Sequence, residues 1–208
     1  MTGLHDHWWW RPGWRPGRCF FTFHVTFADQ PEVQALVASA TTRLAGLPGL
    51  DLVPAQWLHL TMQGIGFSDE VADDNLAKII AAAREHLSVV PPVTVRIGPV
   101  VVADEGVACR AGPAGALDPA RDAVRAAIGG VWGTDRVPEA AEWTPHVSVA
   151  YASADGPGDR FEAALNGLGD VAGVTVRAVD LIRLGRDRHV YEWEPVERFQ
   201  LGGHRVVT

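Results

Sequence analysis

Lysine is nearly missing from this chain: among 18 basic side chains only Lys78 is one, against 25 acidic residues, for a formal charge of −7 and a pI near 5.6. Such a balance excludes a long basic groove that grips many phosphates of duplex DNA, so any nucleic-acid substrate is expected to be met locally, at an end. The lysine-poor, arginine-rich bias matches a high-GC bacterial genome, and arginine still supplies the planar fork that suits phosphate. Cysteine is also scarce. Cys19 and Cys109 show no C-x-x-C or Cys/His zinc spacing, which leaves them as buried thiols and argues against a metal centre. No run approaches the ~18 apolar residues of a membrane span, and the N-terminus has no apolar stretch of the signal-peptide kind, so a cytoplasmic protein is expected.

Apolar residues at 47% and charged residues at 21% are ordinary for a globular chain, and 208 residues suffice for one domain or two fused lobes. "FFTFHVTF" alternates as a strand, with Phe21, Phe23, Val25 and Phe27 on a core face and Thr22, His24 and Thr26 on the other. A helix is predicted next, with Asp29 as cap, Pro31 in its first turn, and Val33, Leu36, Val37, Ala40 and Leu44 as its apolar stripe. "WLHLTMQGIGF" reads as a strand and "DEVADDNLAKIIAAAREHL" as a helix. A hairpin around Asp104-Glu105-Gly106 follows, then a helix capped by Asp118 and ended by Gly129. "HVSVAYAS" is a strand, "GDRFEAALNGL" a short helix, and two or three antiparallel strands close the chain. Without regular β-α-β alternation, the fold class is α+β.

Three histidines begin H-x-[ST]: His24, His59 and His146. Eight histidines and sixteen Ser/Thr in 208 residues meet that relation by chance about 0.6 times. Two of the three stand out. His59-x-Thr61 and His146-x-Ser148 each lie on an apolar alternating strand, each behind a tryptophan (Trp57, Trp143), one in each half of the chain, as an internal duplication would leave them. On a strand, residues i and i+2 share a face roughly 6.6 Å apart, so histidine and hydroxyl project together while Leu60, Met62, Val147 and Val149 point into the core. Two such strands across a cleft suit phosphodiester chemistry: one imidazole takes a proton, the other gives one, and the hydroxyls hydrogen-bond the non-bridging oxygens.

On "WLHLTMQGIGF" and "WTPHVSVAY" the chain resembles the 2H phosphoesterase superfamily, in its 2′-5′ RNA ligase-like branch. The resemblance implies a bilobal fold of two pseudo-symmetric lobes, antiparallel sheet plus helices, around a central cleft. This would be one domain, residues 18–208, behind a Trp/Arg-rich lead, residues 1–17. It implies His59 and His146 as catalytic residues, Thr61 and Ser148 as phosphate-binding residues, and no metal or cofactor. The implied activity opens 2′,3′-cyclic phosphates, or forms 2′-5′ linkages in reverse, on an RNA terminus or a small cyclic-phosphate nucleotide. The competing readings are a nucleotide- or RNA-end-binding module without turnover, and a phosphodiesterase for an ADP-ribose cyclic phosphate. Two positions depart from the branch: Ser148 stands where threonine is common, and Tyr151 where arginine is frequent.

Further substrate-contacting candidates are His24, Tyr151, Tyr191, which corresponds to a tyrosine before the family's terminal strand, and Arg110. Arg183 also alternates with apolar residues and can reach a cleft. His24 is read either as a residue that contacts substrate or tunes the pair, or as a structural polar residue. "HDHWWWRPGWRPGR" is either plain cover over a cleft edge or a stacking platform for a base. His189 and Tyr191 are expected to share a strand face, and His86 and His204 to be ordinary surface residues.

Overall fold

The computed structural model of the chain describes residues 3–138 and 143–203; His204 lies outside them. Period-two apolar runs become strands and the 3.6-period runs helices, in the order β1 (Gly3–Leu4), β2 (Phe20–Thr26), α1 (Pro31–Leu44), β3 (Leu50–Leu52), β4 (His59–Phe67), α2 (Asp73–Ser88), β5 (Val93–Ala103) and β6 (Gly106–Gly112). There follow α3 (Asp118–Trp132), β7 (His146–Ala152), β8 (Gly156–Pro157), α4 (Asp159–Leu165), β9 (Ala172–Val176), β10 (Ala178–Gly185) and β11 (Glu192–Gln200). No helix among the described residues is long and apolar enough to cross a membrane.

Two antiparallel sheets carry the two motif strands. One runs β11-β10-β2-β4, the other β3-β7-β6-β5-β9, and β1 pairs with β8 in a short third ribbon. Read outward from the motif strand, the orders β4-β2-β10-β11 and β7-β6-β5-β9 correspond: each motif strand lies beside the strand that precedes it through one helix, and two further strands follow. This repeated order is the α+β, two-lobed architecture expected. The lobes do not coincide with the halves of the chain, because the C-terminal hairpin β10–β11 completes the sheet that β2 begins.

The helices are exchanged. α1 follows β2 of the first lobe, and the chain returns to β4 by way of β3 in the second sheet; α1 packs on β7, β9 and α4 of the second lobe, while α3 connects β6 to β7 of the second lobe and packs on β4 and α2 of the first. The apolar stripe read on α1 is the buried set: Val33, Leu36, Val37, Ala40 and Leu44. Each lobe therefore closes its core with a helix belonging to the other's chain path.

Several local expectations need correction. Asp29 does not cap α1; Gln30 stands at that position and no side chain caps it. Asp118 lies inside α3, which begins behind Leu117 and runs past Gly129 to Gly133, where φ of 93° ends it. In "DEVADD" only Asp73 and Asp74 occupy the first turn of α2, whereas Asp69 and Glu70 pair with Arg18. His189 and Tyr191 lie in the β10–β11 connection, outside any strand, and His189 has a φ of 54°. Cys109 is fully buried, and burial pushes its thiol up to about 12, while Cys19 is half-buried; both are free. β1, β3 and β8 escaped sequence reading because two or three residues carry no period.

Candidate active site

β4 and β7 bring their histidines to one cleft of about 300 Å³, which His24, Thr61, Ser148, Tyr151 and Tyr191 also line. The alternation places each motif as expected. Leu60 and Met62, like Val147 and Val149, are buried in the core, and the residues between them face the cleft. Both histidines are held alike. His59 Nδ1–H donates to the Trp57 carbonyl at 2.8 Å and His146 Nδ1–H to the Thr144 carbonyl at 2.9 Å, in each case two residues back. That contact fixes the tautomer and leaves Nε2 of both rings for a ligand.

The two rings differ in exposure. His59 is buried and His146 is exposed. Burial, with a smaller contribution from the charge of His146, lowers His59 to about 4, against a partial rise from its bond to Trp57. His59 is therefore neutral at pH 7. An arriving anion opposes the desolvation and favours its protonation.

His24 reaches the cleft from the neighbouring strand. It pairs with Thr61 in the β2–β4 register and its ring stacks on His59, 4.4 Å between centroids and 2° from parallel. It is 1% exposed, and burial followed by the charge of His59 holds its pKa well below the ordinary value. Its Nε2 lies 3.3 Å from Thr61 Oγ1, and its buried Nδ1 has no partner. A stranded lone pair costs less than a stranded N–H, so the favoured tautomer carries its proton on Nε2. Thr61 Oγ1 then accepts from His24, and its own proton is free to point at a cleft anion. In the second lobe Ser148 lines the cleft together with Tyr151, whose phenol burial keeps protonated.

Arg110 sits directly across from His146 in the β6–β7 register, is exposed, and lines an adjoining groove of about 420 Å³ rather than the cleft itself. Arg183 does not reach the cleft: it pairs with Glu194 at 3.1 Å across the β10–β11 hairpin. The tryptophans before the motifs differ in use. Trp57 supplies the carbonyl for His59 and packs edge-on against Trp193, whereas Trp143 donates its indole N–H to the Thr61 carbonyl at 3.1 Å, bridging from one motif's approach to the other motif's strand.

Sequence reasoning missed the part that the N-terminal lead plays. His7 is buried against Tyr151 (4.3 Å, stacked) and spans the lobes: Nδ1 lies 2.9 Å from Glu105 in the β5–β6 turn, Nε2 2.9 Å from the Tyr191 hydroxyl. Burial lowers it to about 4, only partly offset by Glu105. Glu105 also pairs with Arg11, which lines the cleft. Gly106 makes that turn possible: its φ is 149°, and an added Cβ would stand 2.2 Å from the Ala150 carbonyl. Arg186, 3% exposed, donates to the His7 carbonyl at 2.8 Å beneath Trp8, Trp14 and Tyr191. Trp8 is cover, 7% exposed, while Trp9 and Trp10 are half exposed. The available signal was a buried-type histidine and two arginines among aromatics, with nothing local to say what they meet. Among the described residues no group of three or more His, Cys, Asp or Glu side chains is placed to hold a metal ion.

The protein TT0787 of Thermus thermophilus has a similar fold, with a TM-score of 0.68 at 20% identity over 89% of this chain and all of that one. E. coli LigT in its apo form follows at 0.64 and 14% identity over 88% and 98% of the two chains. The MHV ns2 PDE domain aligns at 0.56 and 10% over 80% and 99%. No curated protein matches the sequence significantly. Residues 29–188, which include both motif strands, match the sequence profile of the 2′-5′ RNA ligase superfamily, the 2H phosphoesterases, and the chain belongs to that superfamily.

Proposed function

We propose that this protein opens 2′,3′-cyclic phosphates, on RNA ends or small nucleotides, by metal-independent acid–base catalysis between His59 and His146, with 2′-5′ ligation following when a 5′-hydroxyl replaces water as the nucleophile and the 3′-oxygen leaves. The observation that carries this reading is the paired geometry: two imidazoles, each pinned through Nδ1 to the carbonyl two residues back, present Nε2 to one cleft beside two hydroxyls. In the forward direction one imidazole removes a proton from water as its oxygen bonds to phosphorus. The bond from phosphorus to one ribose oxygen breaks, and the other imidazole protonates that oxygen, leaving a phosphomonoester. Reversing the direction exchanges the roles. Thr61 and Ser148 donate to the non-bridging oxygens as charge grows there.

E. coli LigT has been crystallised in complex with 3′-AMP, NADP+, ATP and phosphate, which supports a nucleotide phosphate as the cleft's occupant here. Tyr151 and Tyr191 are the substrate-contacting side chains of this reading, His24 positions His59 and Thr61 from behind, and residues 18–208 form its catalytic domain. Two free thiols accord with a reducing, cytoplasmic setting.

Phosphorus NMR of the protein with 2′,3′-cyclic AMP and EDTA tests the proposal. A 2′- or 3′-monophosphate signal is expected from the wild type, and its position gives the bond broken. His59→Ala and His146→Ala should each lower the rate at least ~100-fold. Turnover that survives in either variant, or that EDTA abolishes, overturns the mechanism. Binding of a cyclic nucleotide without product after long incubation would instead identify a binding module.

A further inference from the structure

The cleft holds an anion-binding group that the acid–base pair does not use. Arg11 is the only lysine or arginine lining the cleft among the described residues, and it comes from the lead rather than from either lobe. Glu105 takes its Nη2, but its Nε–H is buried without an acceptor. The side chain is still 35% exposed where it lines the cleft, so the guanidinium keeps donor capacity that the protein does not use and an anionic oxygen can take. Beside it stands an aromatic surface. The Arg11 guanidinium lies over the Trp9 ring, 5.4 Å from the centroid, and Trp9 is 50% exposed, so the indole keeps a free face. The rest of the strap is fixed: Trp8 Nε1–H donates to Asp51 at 2.9 Å, and Arg186 holds the carbonyls of His7 and Trp9. Arg11 is therefore presented at the cleft by an ordered segment, with Trp9 beside its guanidinium.

We infer that Trp9 and Arg11 form a second subsite, which takes the nucleotide adjoining the reacting one: Arg11 receives the neighbouring phosphodiester oxygen and Trp9 stacks the neighbouring base. This deepens the proposed function and rests on it, naming an oligonucleotide end rather than a lone mononucleotide as the preferred substrate. Guanidinium–phosphate pairing and base–indole stacking are the usual means by which single strands are gripped without a long basic groove. A single arginine suffices here because only one extra phosphate is met.

The test uses ligands that are not turned over, so that it stands apart from the proposed activity. Calorimetry compares a dinucleotide bearing a 3′-phosphate with 3′-AMP, on wild type, Arg11→Gln and Trp9→Ala. The wild type is expected to bind the dinucleotide at least ~10-fold more tightly. Each substitution should remove most of that advantage while changing 3′-AMP affinity less than about 3-fold, and the dinucleotide should quench tryptophan emission in the wild type more than in Trp9→Ala. An absent advantage, an advantage that survives both substitutions, or an equal loss for both ligands overturns the subsite. Turnover of 2′,3′-cyclic AMP by the same samples reports on the proposed reaction independently.

Discussion

In the proposed mechanism His59 works beside a ring to which no proton transfer is assigned, that of His24. His24 lies flat on His59 and touches Thr61, so it governs both the imidazole's orientation and the direction of the hydroxyl proton. The role assigned to it is positioning, and two substitutions separate its parts. His24→Phe keeps a flat ring against His59 but removes the contact to Thr61; His24→Ala removes both. We expect kcat to fall about 10-fold or more in His24→Ala and to be largely restored in His24→Phe. The inhibition constant for inorganic phosphate should weaken about 3- to 10-fold in both, the worth of one hydrogen bond. Equal kcat in both variants and wild type would show that the stack positions nothing. At this scale the sequence was informative where the relation is local. The i, i+2 pairs His59/Thr61 and His146/Ser148 are legible because a strand fixes their common face. The His24–Thr61 pairing depends on the register of two strands joined through α1, and β-bulges shift that register, so no local pattern reports it.

Among the elements, the exchanged helices decide how the molecule holds together. α1 leaves β2 of the first lobe and seals the second, and α3, between β6 and β7 of the second lobe, packs on the first. Loss of packing in one helix is then felt by both sheets. Leu44, 1% exposed, is a fair probe: Leu44→Ala should cost about 2–5 kcal/mol and lower one common midpoint in urea, whether followed by far-ultraviolet dichroism or by tryptophan fluorescence. Two separated transitions would refute the shared core. The apolar stripe of α1 was fully legible, for a helix face shows its period whatever it packs on. The partner was not, because periodicity says that a face is buried and not by which sheet.

For the whole molecule, three buried imidazoles set the acid limb of stability. His7 and His59 are lowered to about 4 and His24 is held well below its ordinary value, chiefly by burial. All three are neutral when folded, whereas the unfolded chain protonates them below about pH 6.5. The unfolded state thus binds more protons as pH falls, and stability drops from about pH 6.5 toward 4, by up to about 1.4 kcal/mol per pH unit for each imidazole. Urea midpoints between about pH 7 and 5 check this: they should fall in the wild type and fall less steeply in His24→Phe, and a flat profile in the wild type would contradict it. The lead was the least legible part of the chain, since its partners lie far off in sequence, 98 residues in the case of His7 and Glu105. A similar separation shapes how the chain must be made. β2 ends at Thr26, and its neighbour β10 begins only at Ala178, so β2 leaves the ribosome long before it. Until the β10–β11 hairpin is made, the Phe-rich strand carries an open hydrogen-bonding edge, which a chaperone can shield or a neighbouring nascent chain can capture.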